Sequence, residues 1–281
     1  MLAVVLAATA STLWGAGDFI AGLATKRIPV LVVALITWGA GLALTAGLVV
    51  LFDPAVPPAR AIAFGLLGGV FGAIGLASLY QGLAVGRMGI VAPIASLSVL
   101  VGVVVGFLQG DRPTSVQLAG MVAAVIGAVL AAIAPDPAGP RQGRVAQGVG
   151  YAVLAAVFLG GTLVCLDAAG ESSAAWSALL LRASSVPLVA IVALVTRPSL
   201  SPVRRRDVGM LSAVGAADNG ANVLFALATA RGLLTLVAVI ASLVPVVTVL
   251  LARLVLHERL TRHQLVGVVL ALGGVAAIAA G

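Results

Sequence analysis

Apolar residues fill this 281-residue chain in long blocks, and polar residues gather in the short gaps between them. The blocks lie at 3–24, 29–51, 60–83, 88–109, 114–134, 146–168, 174–196, 207–229, 233–256 and 262–280. A helix rises about 1.5 Å per residue, so about 20 apolar residues cross a hydrocarbon layer of about 30 Å. Each block therefore predicts one membrane-spanning helix. The separations are weakest at Gly86-Arg87 and Arg231-Gly232. The longest, Pro135 to Val145, holds Asp136, Pro137, Gly139, Pro140, Arg141 and Arg144. It reads as a seam that divides the chain into a first unit, 1–134, a connecting loop, 135–145, and a second unit, 146–281.

The two units repeat one another. Asp111 to Gly120 reads DRPTSVQLAG, and Glu258 to Gly267, 147 residues further on, reads ERLTRHQLVG. A second glycine follows each copy after seven residues, at Gly127 and Gly274, and the tetrapeptide Ile-Ala-Ser-Leu precedes each, at 94–97 and 240–243. Five predicted spans separate the copies. Because five is odd, the copies face opposite sides of the membrane and the units form an inverted pair. Transporters built this way hold their cargo near the bilayer midplane, between the repeats. The expected fold is thus an all-α integral membrane protein of ten transmembrane helices in two inverted five-helix repeats. The repeated motif itself reads as a helix start. Thr114 with Gln117, and Thr261 with Gln264, have capping-box spacing, and Asp111 or Glu258 adds negative charge near the helix N-terminus.

Composition narrows the class. Hydrophobic residues make up 62% and charged residues 9% of the chain, against about 25% charged in an ordinary soluble domain. The 34 glycines suit helices in lipid, where small residues let backbones approach. The net charge of +7 is scattered over the gaps and aromatics are only 4%, which excludes a nucleic-acid interface. Cys165 stands alone inside an apolar block, leaving no intrachain disulfide or cysteine-rich metal site. No cofactor is expected. The chain is apolar from Met1 without a basic leader, so residues 1–24 are expected to be a retained first span.

Ionisable side chains deep in a span are costly, by at least about 2.5–3.5 kcal/mol on insertion scales, and mark candidate sites. Three qualify. Arg182 lies eight residues into the seventh block and Asp218 eleven from the end of the eighth, on one membrane side. At about 1.5 Å per residue their depths are roughly 12 and 16 Å, so the two can pair. Asn219 flanks Asp218, and Asn222 shares its helical face. The cluster either lines a substrate path or fixes packing, and both readings turn it toward the bundle interior. Asp18 shares a stripe with Ser11 and Trp14, as in a cavity wall, with a partnership to Lys26 or Arg27 as the alternative. Tyr80 and Gln81 are either cavity lining or core. Trp38 and Trp176 read as packing or interfacial residues. Pro93 and Pro245 fall in the equivalent fourth and ninth blocks, where they read either as bends around a cavity or as helix shape alone.

In order, the fragments Leu13-Trp14-Gly15-Ala16-Gly17-Asp18, Leu79-Tyr80-Gln81-Gly82, Val91-Ala92-Pro93-Ile94, Asn222 to Thr229, Ser242 to Arg253 and Leu256 to Leu260 resemble the EamA family of the drug/metabolite transporter superfamily, over the whole chain. The resemblance implies a plasma-membrane carrier that moves a small metabolite, amino acid or drug, often as an exporter, by alternating access around a midplane cavity. It names no substrate, and it leaves both monomer and homodimer open. It implies cytoplasmic termini, whereas eleven Lys and Arg residues in the odd-numbered gaps against three in the even place the termini outside by the positive-inside rule. The family topology is taken as the expectation. No Walker A run is present; if an ion is coupled, a proton on Asp218 or Asp18 is the simplest carrier of it. The rivals are a membrane-embedded enzyme acting on lipid-linked substrates and a non-transporting scaffold subunit. Both histidines, His257 and His263, lie in one gap, with no Gly-x-Ser-x-Gly or His-x-x-Glu-His run, which argues against the enzyme. The cost of the buried charges argues against the scaffold.

Overall fold

A computed structural model describes residues 1–86, 88–133, 145–200, 203–257 and 260–281. Most of the expected loop 135–145 lies outside the described residues, as do Arg87 and the Glu258-Arg259 pair of the second motif copy. The described residues form twelve helices: α1 (Leu2–Thr25), α2 (Val30–Phe52), α3 (Ala59–Val85), α4 (Met88–Ser96), α5 (Val99–Gln109), α6 (Ser115–Ala132), α7 (Val145–Gly170), α8 (Ala174–Thr196), α9 (Arg205–Thr229), α10 (Leu234–Ala241), α11 (Val244–Val255) and α12 (Arg262–Ala280). These make ten spans, since α4 with α5 and α10 with α11 are each one span broken in the middle. Nine spans are long and apolar enough to cross a membrane. The tenth, α9, is made polar by Arg205, Arg206, Asp207, Asp218, Asn219 and Asn222, and it packs inside the bundle against α1, α2, α7 and α8.

The fourth and ninth spans do bend, though not at the prolines themselves: the chain turns at Leu97-Ser98 and Ser242-Leu243, at or beside the repeated tetrapeptide. In each turn backbone N–H groups bond three residues back instead of four: Leu97 to Ile94, Ser98 to Ala95, Leu243 to Ile240 and Val246 to Leu243. The serine hydroxyl assists by donating to a carbonyl of its own turn, Ser96 to Pro93 and Ser242 to Val239, both at 2.7 Å. Such side-chain bonds compete with the helical ladder and bend it. Pro245 sits in the first turn of α11, where its missing N–H costs nothing, so the second bend precedes it.

The most extensive helix pairs cross from one unit to the other: α3 with α7 and α8, α6 with α12, α1 with α9, and α2 with α8 and α9. The α6–α12 pair explains the motif's glycines. A Cβ on Gly120 would stand 2.7 Å from the Gly274 carbonyl oxygen, and one on Gly127 would stand 2.6 Å from that of Gly267. Seven residues forward on α6 match seven back on α12, so the two helices are antiparallel, as inversion requires. A second matched pair lies at the bends. Gly15 of α1 abuts Val244 and Val247 of the second unit, and Gly160 of α7 abuts Ser98 and Val101 of the first.

Both capping boxes form, with Thr114 and Gln117 opening α6 and Thr261 and Gln264 opening α12. Asp111 also reaches across to the other unit. Its Oδ2 accepts the Thr235 backbone N–H at 2.9 Å and so caps α10 of the other unit.

The ends of the spans define an arginine face, with Lys26, Arg27, Arg197, Arg204, Arg205, Arg206 and Arg262, and an acidic face, with Asp53, Asp111, Asp167 and Glu171 beside Arg60, Arg112 and Arg231. Toward the acidic face α5 and α10 close on each other beneath a cavity lined by Arg60, Gln109, Asp111, Asp167, Glu171 and Leu234. There α5 packs on α10, Gly102 meets Ala238, Gly106 meets Thr235, and every residue of α10 is buried. Toward the arginine face the broken spans part. There α4 rests on α6 and α7, whereas α11 rests on α1 and α6.

Candidate functional site

The inward stripe of α1 runs through Ser11, Gly15, Asp18 and Gly22. Ser11 and Gly15 are buried, whereas Asp18 and Gly22 are exposed, with nothing within 4 Å of a Cβ on Gly22. One face of one helix thus passes from packed core to open space toward the arginine face. Asp18 stands at that transition, about 10 Å from the helix end at about 1.5 Å per residue. It lies within electrostatic range of Asp218 on α9, and Tyr80 on α3 lies within range of Asp18. Trp14, one turn before Asp18, is half-buried and leans on buried Phe225 of α9, with ring centroids 5.9 Å apart. Three helices thus bring Trp14, Asp18, Tyr80 and Asp218 to one vestibule.

Behind Asp218 lies a hydrogen-bonded cluster. Arg182, only 6% exposed, gives one guanidinium nitrogen to Asp218 and its Nε–H to Asn219 Oδ1 at 3.1 Å. The Arg182 guanidinium sits 5.0 Å from the centroid of the Trp38 ring, an attractive cation–π contact. Asn219 is held in turn by donating to the Gly41 carbonyl at 2.8 Å and to Thr45 Oγ1 at 3.0 Å, and Asn222 donates to Asn219 Oδ1 at 3.0 Å. A buried charge is tolerable only when it is paired and its remaining donors are met. The cluster does this for Arg182 and leaves the Asp218 side chain 25% accessible.

The candidate residues therefore divide. Asp18, Tyr80 and Asp218 are accessible; Arg182, Asn219 and Asn222 are buried as support. Gln81 is set apart: it follows Leu67 and Ile74 at seven-residue steps, on an exposed stripe 100° round from Tyr80. Arg27 does not turn to Asp18 but pairs with Asp207 at the start of α9. Trp176 donates to the Asp53 carbonyl at 2.9 Å and ties the start of α8 to the end of α2.

Sequence reasoning read Trp38 as a packing or interfacial residue and passed over Gly41 and Thr45. A signal was present: Thr37, Gly41 and Thr45 recur every fourth residue in an otherwise apolar helix, and all three are buried. That stripe receives α9 so closely that a Cβ on Gly215 would fall 1.8 Å from the Thr37 carbonyl oxygen. Among the described residues no His, Cys, Asp and Glu group could hold a metal ion.

Inverted five-helix repeats, two broken spans and a polar vestibule at membrane depth define a multi-pass membrane protein of the transporter type. The model of the EamA-like transporter family matches residues 1–133 and again 146–280. The chain belongs to that family, within the drug/metabolite transporter superfamily. A solved structure titled only as the crystal structure of a protein superposes with a TM-score of 0.82 at 20% identity, covering 98% of this chain and 94% of its own. That likeness concerns the fold. No curated protein matches the sequence.

Proposed function

We propose that this protein is a secondary carrier of a small metabolite, working by alternating access of its two units, 1–134 and 146–281, around the vestibule that ends at Asp18 and Asp218. One observation carries the reading: the inward stripe of α1 is packed at Ser11 and Gly15 and open at Asp18 and Gly22. A path that reaches the middle of the membrane from one face and is sealed toward the other is half of a transport cycle. Trp14, Tyr80, Asp18 and Asp218 would meet the cargo, with Arg182, Asn219 and Asn222 holding Asp218 in place. With the termini in the cytoplasm the vestibule opens outward, and a reporter fused to the C-terminus and read outside the cell reverses that assignment.

The test is counterflow in proteoliposomes loaded with a panel of small metabolites. A carrier exchanges at least one of them, and Asp218→Asn changes the rate or its pH dependence if that carboxylate carries a coupled proton. Absence of exchange across the panel by folded protein overturns the carrier reading. An unchanged rate and pH profile in Asp218→Asn removes that residue from coupling and leaves Asp18 or passive facilitation.

A further inference from the structure

The vestibule pairs unlike charges but does not present them equally. Arg182 is 6% exposed and committed to Asp218, Asn219 and the face of Trp38. Its partner Asp218 keeps 25% of its side chain accessible, and Asp18 is exposed and accepts no hydrogen bond among the described residues. An incoming solute therefore meets two carboxylates with the Arg182 guanidinium behind one of them. Beside the carboxylates stand two aromatic rings, the half-buried Trp14 indole and the exposed Tyr80 phenol. An anion would approach carboxylate oxygens and could reach Arg182 only by breaking a buried pair. A cation finds complementary charge, and an aromatic ring attracts it further.

Resting on the carrier reading, we propose that the vestibule selects an organic cation: an ammonium group on an apolar or aromatic body. The nitrogen sits between Asp18 and Asp218, and the body lies against Trp14 and Tyr80. Burying Arg182 on Asn219 and Trp38 makes the ion pair a one-sided charge. The same three residue types with Arg182 exposed would favour a zwitterion or an anion.

Three ligands of matched size isolate the charge: phenethylamine as its ammonium, 2-phenylethanol and phenylacetate. They are added to the full-length protein in nanodiscs, and both the melting temperature and the affinity are measured. Phenethylammonium is expected to stabilise the protein and to bind at least about tenfold tighter than 2-phenylethanol, with phenylacetate weakest. Asp18→Asn is expected to lose about tenfold in phenethylammonium affinity while the ligand-free melting temperature stays put. Asp18→Glu is expected to restore part of the binding, a recovery that a merely structural carboxylate would not give. Equal binding of alcohol and ammonium, or tighter binding of phenylacetate, overturns the proposal. So does counterflow of neutral or anionic metabolites with no binding of phenethylammonium, butylammonium or tetraethylammonium, an outcome that leaves the carrier reading standing. Failure of every solute to exchange removes both.

Discussion

At the residue scale, one buried charge organises the site. Truncating Asp218→Ala strands Arg182 in a buried setting, and breaking such a pair costs about 3–5 kcal/mol. The melting temperature should fall well below that of Asp218→Asn, which keeps an oxygen for the guanidinium. Combining Asp218→Asn with Arg182→Met should recover stability while abolishing exchange, and a thermal melt beside a counterflow assay reads both. Much of this was legible in the sequence: depth from the span ends placed Arg182 level with Asp218, and four-residue spacing placed Asn222 behind it. What depth and spacing omit is the angle at which a helix faces its neighbours. Hence Gln81, adjacent to Tyr80 in sequence, points elsewhere, and Trp38 looked like packing until the fold set it on Arg182.

At the element scale, glycine placement rather than glycine content holds the helices together. Gly273 and Gly274 are neighbours on α12, yet a Cβ on Gly273 meets nothing within 4 Å whereas one on Gly274 stands 2.5 Å from the Gly120 carbonyl oxygen. Gly274→Ala should therefore destabilise by about 1–3 kcal/mol through overpacking, and Gly273→Ala should be neutral or stabilise by up to about 1 kcal/mol. Matched thermal melts of the two variants check the contrast. The motif, its capping boxes and its trailing glycine were all visible in the sequence. Two features were not. Pro93 and Pro245 marked the spans that bend but not the residues at which they do: the turns fall at Leu97-Ser98 and Ser242-Leu243, where hydropathy is blind to a switch from four-residue to three-residue hydrogen bonding. The partner of Asp111 comes from the other unit, 124 residues away, and local spacing cannot announce it.

At the scale of the whole molecule, the closure of α5 on α10 toward the acidic face predicts its own counterpart. Stepping by the interval between the tetrapeptides carries Gly102 to Thr248 and Ala238 to Ala92, again small residues that would let α4 and α11 approach. In a background with Cys165→Ala, Gly102→Cys with Ala238→Cys should cross-link in the state described. Ala92→Cys with Thr248→Cys should cross-link only when the vestibule closes, and an exchanged substrate should shift the balance between the two. Transport that proceeds while the second pair never cross-links counts against motion of the units.

The crossing of helices between units also bears on biogenesis. With α1 laid on α9, α3 on α7 and α6 on α12, each half finds its main packing partners in the other, so the repeated unit of sequence is not a unit of folding. A nascent chain stopped after α6 has crossed the membrane five times with most of its glycine faces unmatched, and it must wait for the second half before it can mature. Separate polypeptides cut within 134–144 should be degraded when expressed singly and purify together when coexpressed.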